Sequence, residues 1–260
     1  AEHAADASAP DYSLMTVEGI CDFAATCDLD DVRDVLERQI ACNSAIADEG
    51  LRGDWGANIG KVLLTRGGDV RSRAKARAAA GSDARMNGCE LPVVINSGSG
   101  NQGMTASLPV IEYARALGAG EEELLRALLV SNLVTLHEKT GIGRLSAYCG
   151  AVSAGAGAGA GIAWLHGGGF NEVAHTIVNA LAITSGIVCD GAKSSCAGKI
   201  AMAVDAGILG YEMYCSGQEF CGGDGLVCKG VENSIENFGR LGRVCMRETD
   251  KEIIRMMTGC

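Results

Sequence analysis

The uncharged stretch Leu145–Leu165, LSAYCGAVSAGAGAGAGIAWL, decides the fold of this chain of 260 residues. Its length would suit a transmembrane helix, but it is mostly Ala and Gly, and no Lys/Arg bias flanks it, which argues against a span. Its glycines (Gly150, Gly155, Gly157, Gly159 and Gly161) would cost a helix about 5 kcal/mol relative to alanine. Very close approach of neighbouring backbones or of a bulky buried group would offset that cost. We therefore predict a buried central helix.

Helical periodicity dominates the chain on both sides of this stretch, and strand-like alternation is nearly absent. Sequence signals mark several helix ends, with Thr16, Asp28 and Asn171 as starts, Gly50 as an end, and Thr249 with Glu252 as a capping box. The sequence predicts a mainly α protein, namely a compact helical domain around the buried Gly/Ala-rich helix. We expect that domain to span 15–260, after a disordered lead-in at 1–14.

The charge and the cysteine content narrow the classes of function. The net charge is −10 without a basic run, which argues against a nucleic-acid or anionic-membrane partner. Twelve cysteines occur without a secretory signal pattern at the start, AEHAADASAP, so we expect a reducing cytoplasm and some thiols that act as ligands or catalysts. Cys21, Cys27 and Cys42 lie among apolar helical positions and are predicted to be core residues.

A glycine-rich loop follows the run LPVVI, which could be a strand. The segment Gly98–Gly103 fits the dinucleotide pattern G-x-G-x-x-G, but the next segment is another helix rather than a second strand ending in an acidic residue. We therefore expect no NAD site. The simpler functional reading is that backbone N–H groups and short polar side chains hold a small carboxylate or phosphate, and the alternative is a plain helix-entry loop. His137, beside Glu138 and Lys139 on that next helix, is more often a structural residue than a base.

Two sets of three cysteines compete as the reactive group. Cys215, Cys221 and Cys228 lie close together in the sequence, as C-x5-C-x6-C, whereas the second set is spread out as Cys149, Cys189 and Cys196. Spacing alone favours the first set. Neither set has the paired spacing of structural zinc, and three thiolates without a fourth protein ligand suit an iron–sulfur cluster with one open iron. Such an iron can act as a Lewis acid.

Four segments together carry a family resemblance: MNGCELPVVINSGSGNQGMTASLPV, YCGAVSAGAGAGAG, ITSGIVCDGAKSSCAGKIA and MRETDKEII. They resemble the iron–sulfur L-cysteine desulfidase family, which is related to the α-region of bacterial iron–sulfur L-serine dehydratases. The resemblance is strong over 86–257 and weaker over 17–66. It implies a mainly helical catalytic domain with an oxygen-sensitive 4Fe-4S cluster and no pyridoxal phosphate.

The resemblance assigns site residues and a reaction. The cluster ligands would be Cys149, Cys189 and Cys196, which overrides the preference from spacing. The substrate would be held by the loop residues Asn96, Ser97, Gly98, Ser99, Gly100, Asn101 and Gln102. The implied reaction is β-elimination from a small L-amino acid, with L-cysteine giving pyruvate, ammonia and sulfide. L-serine dehydration is the alternative within this class, and a non-catalytic metal-binding structural or sensor module is the alternative outside it.

Two departures from the family bear on activity. Single-chain desulfidases resemble this chain only after a further N-terminal region, which carries a cysteine proposed as the catalytic base. We therefore expect the chain to be the C-terminal part of a longer member and assign no base within it. Cys260 could occupy the fourth iron, as a terminal cysteine does in related dehydratases, although a free tail thiol is the simpler expectation. A small L-amino acid is the expected partner, and a homodimer stays open.

Overall fold

The computed structural model describes residues 11–65, 67–143 and 146–259. Within these ranges the chain forms eleven α-helices and no β-strand, which confirms the predicted mainly α class. The helices are α1 (Val17–Thr26), α2 (Arg33–Arg52), α3 (Ile59–Leu64), α4 (Val70–Met86), α5 (Gly100–Leu117), α6 (Glu121–Ile142), α7 (Gly150–Leu165), α8 (Phe170–Thr184), α9 (Cys196–Cys215), α10 (Val231–Arg240) and α11 (Arg247–Thr258). Single 3-10 turns occur at Tyr12–Leu14 and Leu29–Asp31, and a π-helical turn at Leu241–Cys245 leads from α10 towards α11.

The glycine-rich helix α7 is the centre of the packing. It contacts α5, α6, α8 and α9, and every residue from Gly150 to Ala163 is buried. None of the helices in the described ranges is long and apolar enough to cross a membrane. The burial of α7 against four other helices confirms the prediction made from its composition.

The alternation of Ala and Gly in α7 gives it two flat faces. Glycines two positions apart are turned by about 200° around a helix axis, so they point in nearly opposite directions. Gly155 and Gly159 face α9, whereas Gly157 and Gly161 face α6. A Cβ on Gly159 would lie 2.5 Å from the carbonyl oxygen of Gly207 on α9. Backbone contact on both faces therefore provides the close approach that offsets the conformational cost of the glycines.

Two predicted helix boundaries, the end of α2 and the start of α11, are wrong. Gly50 was expected to end α2, but the helix continues to Arg52 and the Cα of Gly50 packs directly on the backbone of Ala80 in α4. Thr249 was expected to open the last helix. The preceding π-helical turn leads directly into α11 at Arg247, so Thr249 already lies inside the helix.

Other starts agree with the sequence more closely. The Thr16 side chain accepts a hydrogen bond from the N–H of Gly19 and caps α1, as predicted, whereas Asp28 caps only the short turn before α2. The helix expected to open at Asn171 begins one residue earlier, at Phe170. The run at 91–95 forms no strand.

Several sequence predictions concern the chain ends and the first cysteines. Of the predicted lead-in, residues 1–10 lie outside the described residues, as does Cys260. Cys21 is buried in the core as expected. Cys27 is half-buried and packs against that core, whereas Cys42 is half-buried without belonging to it, so the core prediction holds fully only for Cys21.

Candidate functional site

Two short backbone segments bring Cys149 and Cys189 together. Tyr148 and Val188 form an isolated antiparallel bridge, and the N–H of Cys189 donates to the carbonyl oxygen of Ala147 at 2.7 Å. The bridge joins the segment just before α7 to the segment just after α8. It therefore places two cysteines that lie forty positions apart in the sequence side by side.

The two thiols of this pair shift each other's pKa. Their interaction lowers the pKa of Cys189 to about 6 and, together with burial, raises the pKa of Cys149. The backbone N–H groups of Ala151 and Val152, at the start of α7, act to lower the pKa of Cys149 and so favour its thiolate. Negative charge at this place is thus stabilised by the helix N-terminus.

Cys196 is connected to the pair through the backbone of Gly191. The sulfur of Cys196 lies 3.5 Å from the Gly191 carbonyl oxygen, and the N–H of Gly191 points at the sulfur of Cys189. Cys196 is buried and is the first residue of α9, the helix in close backbone contact with α7. We call Cys149, Cys189 and Cys196 the inner cysteine set.

The donor chemistry of the inner set suits a cluster better than a single ion. Nowhere in the described ranges do three His, Cys, Asp or Glu side chains stand close enough to hold one metal ion. A 4Fe-4S cluster takes each cysteine on a separate iron, so its ligands stand farther apart. The inner set offers three largely buried thiols, one of which lies at the N-terminus of α7, and this fits that requirement. Their assignment as ligands stays a prediction.

The predicted substrate loop forms a tight turn beside the inner set. Asn96 and Ser99 exchange two backbone hydrogen bonds, and Ser97 between them has a positive φ of 49°. The Asn96 amide donates to the Asn132 carbonyl oxygen at 3.0 Å, which fixes the turn on α6. The turn therefore has a rigid support, and α5 begins directly after it at Gly100.

The remaining loop residues differ in whether their side chains already have hydrogen-bond partners. The Asn101 side chain accepts a hydrogen bond from Arg85, and Gly100 packs against Arg85 and Val93. By contrast, Gln102 is 5% exposed and its Oε1 has no hydrogen-bond partner. Among the predicted loop side chains, Gln102 is thus the one that carries a buried, unused acceptor.

A cleft of about 870 Å³ opens beside the loop. Its described lining consists of Tyr12, Ser97, Gly98, Leu136, Lys139, Thr140 and Gly143. Lys139 is 7% exposed and has neither an ion pair nor a hydrogen bond among the described residues. Burial lowers the pKa of Lys139, and the nearby Cys149 and Cys189 oppose that shift.

The sequence did not single out Lys139 or its neighbour Glu138. In the HEK triplet, the candidate was His137, which pairs with Glu232 at 2.7 Å. Glu138 is buried and neither of its carboxyl oxygens has a partner, so burial raises its pKa well above the usual range. The nearby Tyr148 hydroxyl also lacks a partner. A charged pair just after the mostly apolar run LLVSNLVTL of α6 was the signal that could have pointed to this polar group.

The local set Cys215, Cys221 and Cys228, which we call the outer cysteine set, lies elsewhere. Cys215 ends α9, so it stands about 28 Å along the helix axis from Cys196. Cys215 and Cys221 are exposed, and Cys228 accepts a hydrogen bond from the Asn237 amide at 2.9 Å. The structure therefore gives no support to the metal site that spacing alone favoured.

Known proteins are similar to this chain along nearly its whole length. A UPF0597 protein of Desulfitobacterium hafniense is 68% identical over 251 residues, which cover 96% of this chain and 58% of the relative. UPF0597 proteins of Lachnoclostridium phytofermentans and Finegoldia magna are 56% and 51% identical, covering 97% and 95% of this chain and 61% and 59% of the relatives. The chain thus spans about three fifths of the length of these relatives. No solved structure matches.

The family comparison agrees with the arrangement of helices and cysteines described above. Residues 5–255 match the family described as the serine dehydratase alpha chain. That match includes the inner cysteine set, the loop before α5 and the whole of α7. The chain therefore belongs to the serine dehydratase alpha chain family.

Proposed function

We propose that the chain is the cluster-binding part of a lyase that removes the β-substituent of a small L-amino acid, with L-cysteine as the preferred substrate. Membership of the serine dehydratase alpha chain family supports the reaction class. The backbone bridge that sets Cys149 beside Cys189, with the sulfur of Cys196 3.5 Å from the Gly191 carbonyl oxygen, is the observation that carries the proposal. These three thiols would hold a 4Fe-4S cluster.

The cluster, when bound, would supply a Lewis-acidic iron that stabilises the charge of the leaving sulfide or hydroxide. The loop at 96–102 would orient the substrate beside the inner set, because Ser97 and Gly98 line the cleft and Gln102 extends towards Gly150, next to Cys149. Rigid support of the loop by Asn132 keeps the substrate in one position.

The elimination breaks two bonds of the substrate. A base takes the α-proton, the Cβ–S bond breaks, and sulfide leaves with the electron pair of that bond. The resulting aminoacrylate takes up water and gives pyruvate and ammonia. We assign no base within this chain. The expectation that a longer member supplies it in a preceding region stays a prediction.

L-serine is the second candidate substrate, which the family description favours directly. Cysteine and serine differ only in the leaving atom, so the same loop could orient both. A softer thiolate binds iron more strongly than a hydroxyl does, which is our reason for preferring L-cysteine.

The test is pyruvate release after anaerobic reconstitution with iron and sulfide. This chain and the Desulfitobacterium relative should be assayed in parallel with L-cysteine and L-serine, since the relative contains the length that this chain does not match. We expect pyruvate from L-cysteine with the relative, and loss of that activity when its counterpart of Cys189 is replaced by serine. Pyruvate from neither amino acid, or zinc in place of iron and sulfide, would favour a non-catalytic metal-binding module instead.

A further inference from the structure

Lys139 is an unusual residue for the interior of this protein. Its side chain is 7% exposed, it lies on α6 in a mostly apolar environment, and no carboxylate pairs with it in the described part of the chain. A buried ammonium without a partner is costly, because it loses hydration and gains no opposite charge in return. An anionic ligand at this place would supply the missing opposite charge.

The amide nitrogen of Gln102 lies at the same place. A Cβ built on Gly150 would lie 2.5 Å from the Nε2 atom of Gln102 and 3.1 Å from the Nζ atom of Lys139. The two side-chain ends therefore meet above Gly150, although one comes from the first turn of α5 and the other from the last turns of α6. Both can donate hydrogen bonds to a single anion.

The surroundings of this point favour negative charge. Gly150 is the first residue of α7, so the positive end of the helix dipole lies there. The described lining of the cleft contains Lys139 and no carboxylate. Cys149 and Cys189 are close enough to Lys139 to raise its pKa. Ser97 and Gly98 line the same cleft as Lys139. An anion here would therefore stand between the cysteines and the loop.

We propose that Lys139 and Gln102 form the binding site for the α-carboxylate of the amino-acid substrate. The ammonium and the amide N–H donate to the carboxylate oxygens, as in other charge-assisted pairs. A carboxylate held above Gly150 directs the β-carbon of a small amino acid towards the inner cysteine set. The identity of the ligand rests on the proposed function, whereas the anion site itself needs neither a cluster nor turnover.

Binding to the cluster-free chain tests this site separately from activity. The dissociation constant of L-serine, which has no thiol to oxidise, should be measured by NMR titration and compared with that of ethanolamine, which lacks the carboxylate. We expect L-serine to bind and ethanolamine not to. Lys139→Met should weaken L-serine binding roughly ten- to a hundredfold, which is the range for a lost hydrogen bond to a charged group. Lys139→Arg should recover part of the affinity.

Two further variants sharpen the test. Gln102→Glu places a carboxylate against the ligand and should weaken binding of L-serine by repulsion. Gly150→Ala changes no charge but should also weaken it, because the new Cβ displaces both side-chain ends. Lys229→Met is the matched control, since Lys229 is exposed and lines a separate cleft beside Cys228, and it should bind L-serine like the parent. Circular dichroism verifies the fold of each variant.

The outcomes separate this proposal from the proposed function. Equal affinity of the parent and the Lys139→Met chain for L-serine overturns the carboxylate site, whether or not pyruvate is formed. Equal binding of L-serine and ethanolamine, or no binding of L-serine to the folded parent, overturns it too. Loss of iron without loss of L-serine affinity in Lys139→Met would mean that Lys139 serves the cysteines instead. Carboxylate binding that depends on Lys139, in a protein that releases no pyruvate, would refute only the proposed function.

Discussion

The inner and outer cysteine sets each contain three thiols and share one helix, yet they occupy different environments. Cys196 of the inner set begins α9, and Cys215 of the outer set ends it. In the inner set, a backbone bridge places Cys149 beside Cys189, and the sulfur of Cys196 lies 3.5 Å from the Gly191 carbonyl oxygen. Cys215 and Cys221 of the outer set are exposed to solvent.

The contrast shows that closeness in sequence is a poor guide to convergence in a helical protein. The two ends of a helix of twenty residues lie about 28 Å apart, so cysteines at opposite ends lie in different regions of the protein. A short backbone bridge such as Tyr148 with Val188 does the opposite and joins segments forty positions apart. Where the chain turns between helices therefore matters more than how many residues separate two thiols.

The substitution that should disturb the inner cysteine set most is one at the glycine contact that holds α7 against α9. Gly159→Ala forces a Cβ against the backbone of Gly207, and the two helices must separate. We expect the free energy of unfolding to fall by about 3 kcal/mol, at the upper end for overpacking, as measured by urea denaturation. The inner set should lose its geometry with it, because Cys149 and Cys196 stand at the starts of these two helices.

Gly198→Ala is the matched control on α9. No atom lies within 4 Å of the position where its Cβ would be built, so the added methyl group meets open space. Alanine in this helix should raise stability by about 0.5–1 kcal/mol. If Gly159→Ala were as stable as the parent, the close crossing would not be what fixes the inner set.

A smaller effect should come from Glu138, the buried acid near Tyr148, next to the inner set. Its folded-state pKa is raised by burial, so above the ordinary value the folded chain binds a proton that the unfolded chain releases. Stability should therefore fall as the pH rises above about 4.5, until the folded-state pKa is passed. Each unit between the two pKa values corresponds to about 1.4 kcal/mol.

Glu138→Gln should remove this dependence and raise stability at pH 7. Urea denaturation of both proteins between pH 5 and pH 8 gives the slope of the unfolding free energy against pH for each. Parallel slopes for the parent and the variant would show that Glu138 is not the group that titrates. A corresponding change at exposed Glu248 near the chain end should leave the slope unaltered above pH 5, since its pairing with Lys251 lowers its pKa.

The main architectural features could be predicted from the sequence because they depend on composition. An uncharged Gly/Ala stretch leaves backbone contact as its main way to pack, and α7 is buried on all sides. The predicted end of α2 was wrong, because Gly50 packs on the backbone of α4 within a helix that continues to Arg52. The predicted start of α11 was wrong as well, because the helix already begins at Arg247, just after the π-helical turn. Local signals identify the helices, whereas their ends also depend on the neighbours.

Part of the candidate site could likewise be predicted from the sequence, and part could not. The inner cysteines were reached through the family resemblance, and spacing alone selected the outer set. Lys139 was not identified, because the property that marks it is the absence of a partner once it is buried. That property depends on what α5, α6 and α7 bring to one point, and no local pattern in the sequence encodes it.

The most direct test of the central claim is iron and sulfide content after anaerobic reconstitution of three proteins, namely the parent chain, Cys189→Ser and Cys221→Ser. We predict that the parent and Cys221→Ser contain the same amounts of iron and acid-labile sulfide, and that Cys189→Ser loses both. Equal iron and sulfide in all three proteins, or loss in Cys221→Ser alone, would contradict the assignment of the inner set as the cluster site.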